Sequence, residues 1–132
     1  MTPNFYVEAH NNLGSALANQ GKIKEAMSHF MEALRIKPGY SRAHLNIGNM
    51  LLLQGKSEQA LKHFSVVLRL TPDNAIAHLS MGNVMAGQGK LEEAMKHYSE
   101  ALRIRPTFRE ARLNLERAMR LSGKSASKAF PN

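Results

Sequence analysis

The chain repeats itself every 34 residues, and this period limits its fold more than any other feature. The stretch HNNLGSALANQGK (10–22) returns as HLNIGNMLLLQGK (44–56) and again as HLSMGNVMAGQGK (78–90). Gly14, Gly48 and Gly82 are equally spaced, as are Gly21, Gly55 and Gly89. The same step links Ala26, Ala60 and Ala94; Phe30, Phe64 and Tyr98; Leu34, Leu68 and Leu102; and Pro38, Pro72 and Pro106. A repeat of this length implies an array of small units, each packed on its neighbours, in place of one central core.

Each unit holds two apolar-periodic segments, split by Gln-Gly-Lys and closed by a proline. In the second unit the spacing predicts helices over about 41–54 and 57–70. Gly55 suits the left-handed residue that ends a helix, and Pro72 forbids a simple continuation. Gly48 then needs a reason, because a glycine inside a helix costs about 1 kcal/mol relative to alanine. Gly48 and Ala60 are small where two antiparallel helices must approach closely, while Phe64 and Leu68 fill the space beside them. A chance glycine does not recur three times at one spacing.

Glycine, alanine twelve residues on, an aromatic after sixteen, a small residue after nineteen (Ala33, Val67, Ala101) and proline after twenty-four together resemble the tetratricopeptide repeat. The resemblance covers three complete units, 7–40, 41–74 and 75–108. It departs at Leu17, Leu51 and Met85, where tyrosine is usual, and at His10, His44 and His78, which stand at the usual tryptophan place. It implies an all-α, right-handed solenoid of three antiparallel helix pairs. Residues 1–6 resemble the end of an earlier repeat, or a linker, running into the first. Residues 109–121 start like a further first helix, but Glu116 stands at the glycine place and would block a following helix, so they are expected to cap the array. Residues 122–132 are small and polar and are expected to be disordered.

The net charge of +8 is unevenly placed. Residues 101–132 hold eight Lys/Arg against two Glu, a net +6, leaving ten against eight, or +2, in residues 1–100. A nearly neutral array argues against a nucleic-acid groove along its length. Its basic end instead admits an acidic partner or anionic headgroups. The longest apolar stretch, MLLL (50–53), is far short of a transmembrane span, and the first twenty residues lack a signal-peptide core. The expected place is the cytoplasm or a cytoplasm-facing surface.

No catalytic constellation stands out. The carboxylates are scattered, every glycine already has a turn or packing role, and there are no cysteines, so neither catalytic residues nor a cofactor is expected. The six histidines follow the repeat as His10, His44 and His78, then His29, His63 and His97. Those one repeat apart lie about 8–10 Å from each other per interaxial step, too far to share a metal. The first set is expected in the helix interface and the second toward the outer face, with no metal site.

The asparagines are better candidates. The resemblance puts the first helix of each pair on a concave surface. Arg42, Leu45, Asn46, Asn49, Leu52 and Leu53 share one stripe of that helix in the second unit. Asn11, Asn12 and Ser15 are their equivalents in the first unit, and Leu79, Ser80 and Asn83 in the third. Asn114 and Arg117 continue the stripe onto the cap. The series Asn12, Asn46, Ser80 and Asn114 is similar to the asparagine ladder of the O-linked N-acetylglucosamine transferase repeats, which holds an extended peptide by its main chain. An amide offers donors and an acceptor together, which matches a peptide backbone without demanding particular side chains. The same asparagines could instead bond only within or between neighbouring helices. The family's two-carboxylate clamp is absent, because Asn11, Ser15, Ile76 and Ser80 stand at its places.

Three functional readings follow. The first is a non-catalytic scaffold binding a protein or peptide in its groove. The second is a regulatory array cut from a larger enzyme, since NNLGSALANQGK and RLNLERAMR look like the repeats of bacterial membrane proteins with glycosyltransferase-like cores. The third is self-association through truncated repeat ends.

Overall fold

In the computed structural model, residues 3–123 are described and form seven α-helices, with no strand among them. They fall into two compact units, Met1–Pro72 and Asp73–Asn132, where the period predicts one continuous array. The expected disordered tail lies, from residue 124 onward, outside the described residues.

The first unit holds α1 (Pro3–Asn19), α2 (Ile23–Ile36), α3 (Ser41–Leu53) and α4 (Ser57–Leu70). α1 packs on α2, α3 on α4, and α2 on α3. The observed α3 and α4 match the helices predicted for the second repeat. Residues 4–6 are helical, whereas Tyr40, just before the next repeat, is extended. KPGY contains the breaks Pro38 and Gly39, but Pro3 stands at the first helical position, where its missing N–H costs nothing.

The Gln-Gly-Lys turns are built alike. Gly55 has φ 76°. Its N–H donates to the Leu52 carbonyl at 3.0 Å, and that of Lys56 reaches back to Leu51 at 2.8 Å. This left-handed pair of bonds satisfies carbonyls that the end of α3 would leave bare. It also turns the chain sharply enough for α4 to run back along α3.

The face that α4 buries is spaced by four and three residues, Ala60, Phe64 and Val67, and α2 buries Ala26, Phe30 and Ala33 at the same places. The helix glycines explain the fit. A Cβ added at Gly48 would lie 2.5 Å from Cε1 of Phe64, and one at Gly14 would lie 2.6 Å from Cε1 of Phe30. No real side chain sits that close, so the ring is seated directly on bare helix backbone.

The second unit holds α5 (Ala75–Gly87), α6 (Leu91–Ile104) and α7 (Arg109–Ser122). α6 packs between α5 and α7. Tyr98 meets Gly82 as Phe64 meets Gly48, within a core that includes Leu79, Met95, Leu115 and Met119. α7 buries Ala111, Leu115, Ala118 and Met119, and it ends at Gly123, whose φ is 79°. Glu116 is half-buried on it. Among the described residues no helix is long and apolar enough to cross a membrane.

Candidate functional site: an amide and arginine cleft

α5, α6 and α7 enclose a cleft of about 350 Å³ in the second unit. Asn83 and Ala86 line it from α5, Leu91 and Tyr98 from α6, and Glu110, Asn114, Arg117, Ala118 and Leu121 from α7. Tyr98 is anchored by its ring against Gly82, so its hydroxyl emerges at a fixed point. That hydroxyl donates to Asn83 Oδ1 at 2.7 Å, and Asn114 Nδ2 donates to the same oxygen at 2.9 Å. With Oδ1 accepting both bonds, one orientation of the Asn83 amide is favoured, and its NH2 group is left to donate to another acceptor. Burial pushes the Tyr98 phenol up to about 12, against a smaller opposing pull from Arg117, while Glu110 adds to the rise. The phenol therefore stays protonated and donating at any ordinary pH. Arg117 is exposed and makes no ion pair or hydrogen bond among the described residues. Ala86, Leu91, Ala118 and Leu121 supply apolar wall.

Three of the groove candidates, Asn83, Asn114 and Arg117, thus meet in one cleft. The others lie elsewhere. In the first unit Asn46 Nδ2 donates to Asn11 Oδ1 at 2.9 Å, Asn11 being buried and Asn12 exposed. The bonded amides are therefore not those one repeat apart. Asn46 meets Asn11 instead of Asn12, and Asn114 meets Asn83 instead of Ser80. Consecutive helical residues point about a hundred degrees apart, so Asn11, not Asn12, faces α3. Leu79 and Ser80 are buried and give no exposed groove surface. Arg42 and Leu53 are exposed, and Ser15, Leu45, Asn49 and Leu52 are half-buried. Tyr98 was the readable signal that spacing alone missed, as it is the one hydroxyl in the Phe30, Phe64, Tyr98 series.

The histidines also depart from expectation. Each first-helix histidine meets the one nineteen residues later. The Nδ1 to Nδ1 distances are 3.0 Å for His10 and His29, 3.0 Å for His44 and His63, and 3.2 Å for His78 and His97. His29, His63 and His97 are half-buried against their partners, not turned to an outer face. Burial, then the charge of His44, holds the His63 imidazole below its usual range. Burial and His78 do the same for His97, against a smaller opposing effect of Glu93. A histidine whose folded value is depressed adds stability above its unfolded value of about 6.5, and that stability is lost as pH falls through the folded value. Melting temperature should therefore fall below about pH 6.5, and a chain carrying His63→Gln and His97→Gln should lose less over the same interval. Parallel profiles for the two chains would contradict the assignment. Among the described residues no group of three or more His, Cys, Asp or Glu is placed to hold a metal.

Profiles of the tetratricopeptide repeat match residues 7–40 and 75–108, and a TPR repeat profile matches residues 48–89. The chain belongs to the tetratricopeptide repeat family. No curated protein matches it by sequence. Solved TPR structures share its fold. The first TPR domain of Spaghetti (RPAP3) bound to the HSP90 peptide SRMEEVD is 21% identical, with a TM-score of 0.84 over 89% of this chain and 94% of that one. A Thermobaculum terrenum O-GlcNAc transferase mutant is 22% identical, with a TM-score of 0.89 over 98% of this chain and 25% of that one. The TPR domain of P58(IPK) is 31% identical, with a TM-score of 0.81 over 89% of this chain and 33% of that one. TPR repeats are typically protein-interaction modules.

Proposed function

We propose that this TPR chain is a non-catalytic scaffold whose α5–α6–α7 cleft takes an extended, acidic peptide segment. The observation that carries the reading is the convergence of Asn83, Asn114 and an unpaired Arg117 on one cleft with an apolar wall. The held amide of Asn83 suits a main-chain carbonyl. Arg117 suits a carboxylate, which its planar fork can take by two hydrogen bonds. Support also comes from the RPAP3 domains, solved with the HSP90 peptide SRMEEVD and the HSP70 peptide SGPTIEEVD, both acidic. The clamp places differ here, so the register of any peptide would be this chain's own.

The test is titration of fluorescent peptides rich in Glu and Asp, at several salt concentrations. Asn114→Ala should weaken binding by about 0.5–1.5 kcal/mol, one neutral hydrogen bond. Arg117→Glu should weaken it further and flatten its salt dependence, because exposed charges are screened beyond about 8 Å at physiological ionic strength. Lys96→Ala, exposed on α6 and outside the cleft, is the control. Unchanged affinity and salt slope in Arg117→Glu would leave α7 as a cap only.

A second reading is a substrate-recruiting segment of a larger protein. The similarity to O-GlcNAc transferase, which spans 98% of this chain but 25% of that one, favours it. A longer reading frame around this sequence would support it.

A further inference from the structure

We propose that the outward face of α7 docks the chain on an anionic membrane surface. α7 turns Ala111, Leu115, Ala118 and Met119 into the core, and its other side faces solvent. Arg109, Leu113, Arg117 and Arg120 follow at steps of four, four and three, which places them on one stripe of a helix. All four are exposed, and Arg112 is exposed beside them. Leu113 is 46% exposed in the middle of the arginines, and Leu121 is 69% exposed near the end of the helix.

The charge of this face is not neutralised locally. Elsewhere Arg35 pairs with Glu32, and Arg103 with Glu100 and Asp73. On α7 four arginines stand against Glu110 and Glu116. Glu116 precedes Arg120 by four residues, the spacing at which helix ion pairs form. Yet Arg109 and Arg120 make no ion pair or hydrogen bond among the described residues. Lys124 and Lys128 follow in the sequence. A guanidinium takes a phosphate by two hydrogen bonds, and each basic residue near an anionic leaflet multiplies affinity by about five.

The leucines decide the occupant. A cap needs a polar outer face, and a solvated leucine at its centre adds nothing to one. A nucleic-acid face gains from amides or stacking rings among its arginines, and this stripe presents leucine in their place. Below the phosphates of a bilayer lies hydrocarbon, where Leu113 leaves water while the arginine stems reach up to the headgroups. The apolar side of α7 is already covered by α6, so the helix cannot sink as a free amphipathic helix does. Docking is therefore shallow, reversible and driven by charge.

Vesicles of phosphatidylcholine and phosphatidylserine in equal parts should cosediment the full chain. Vesicles of phosphatidylcholine alone should not, and added salt should reverse the binding. Arg109→Glu combined with Arg120→Glu should lower vesicle affinity by more than about tenfold. The chain has no tryptophan, so Leu113→Trp sets a single reporter on the stripe. Its emission should shift to the blue on the mixed vesicles and stay unchanged on neutral ones, a readout that leaves every arginine in place and decides the matter even if the double variant fails to fold. Equal binding to neutral vesicles, no blue shift, or unchanged affinity in the folded double variant would overturn the proposal. Tighter binding to duplex DNA than to the mixed vesicles would overturn it too, and make the stripe a nucleic-acid face. Asn114→Ala, in the cleft, should weaken the peptide and leave vesicle binding unchanged, so failure of either proposal leaves the other standing.

Discussion

Phe64→Ala should lower stability by about 3–5 kcal/mol, the range for emptying a buried aromatic site. Phe64 is 0% exposed and its ring lies on the bare backbone at Gly48, so the space it leaves is walled by a helix with no side chain to fall inward. Collapse around a cavity is what softens such losses, and glycine offers none. A thermal or denaturant melt followed by circular dichroism reads the effect. A loss under about 0.5 kcal/mol, the range of a surface change, would show that α3 and α4 do not depend on this contact. Val67→Ala on the same helix should cost less, since it removes fewer buried atoms.

The close approach at the helix glycines was legible in the sequence, because the glycine recurs three times at one spacing and has one economical explanation. The turns were legible for the same reason. The cleft was not. Its amides had the right identities but the wrong partners, since repeat spacing relates equivalent positions, whereas hydrogen bonding follows whichever atoms face across a helix interface. Asn46 and Asn12 are equivalent, yet Asn11 is the one turned toward α3. The histidine pairs are hidden for the same reason, since the period relates only residues one repeat apart. An antiparallel pair folds about its turn, so residues at similar distances either side of Gly21, such as His10 and His29, come opposite each other. That relation was in the sequence, in the turn and not in the period. Tyr98 was a third case. It occupies a packing position shared with Phe30 and Phe64, and only its hydroxyl turns that position into part of a site.

Gly48→Leu is expected to destabilise, although leucine is the better helix former and glycine costs a helix about 0.8–1 kcal/mol relative to alanine. Overpacking costs about 1–3 kcal/mol and sometimes more. Here the first added atom alone would stand 2.5 Å from a ring that is itself fully enclosed, so the steric term wins. Gly87→Ala separates the two effects. Gly87 ends α5 with nothing within 4 Å of an added Cβ, so alanine there should gain about 0.5–1 kcal/mol in place of losing it. The decisive measurement is the double variant. Leucine at 48 would project into the volume that Phe64→Ala empties, so each change should partly repair the other. The combined loss should fall short of the sum of the single losses by about 0.5–3 kcal/mol, the range for residues in contact. Strict additivity would mean that the two sites do not share a volume, and the close approach of α3 and α4 would then need another cause than the glycine.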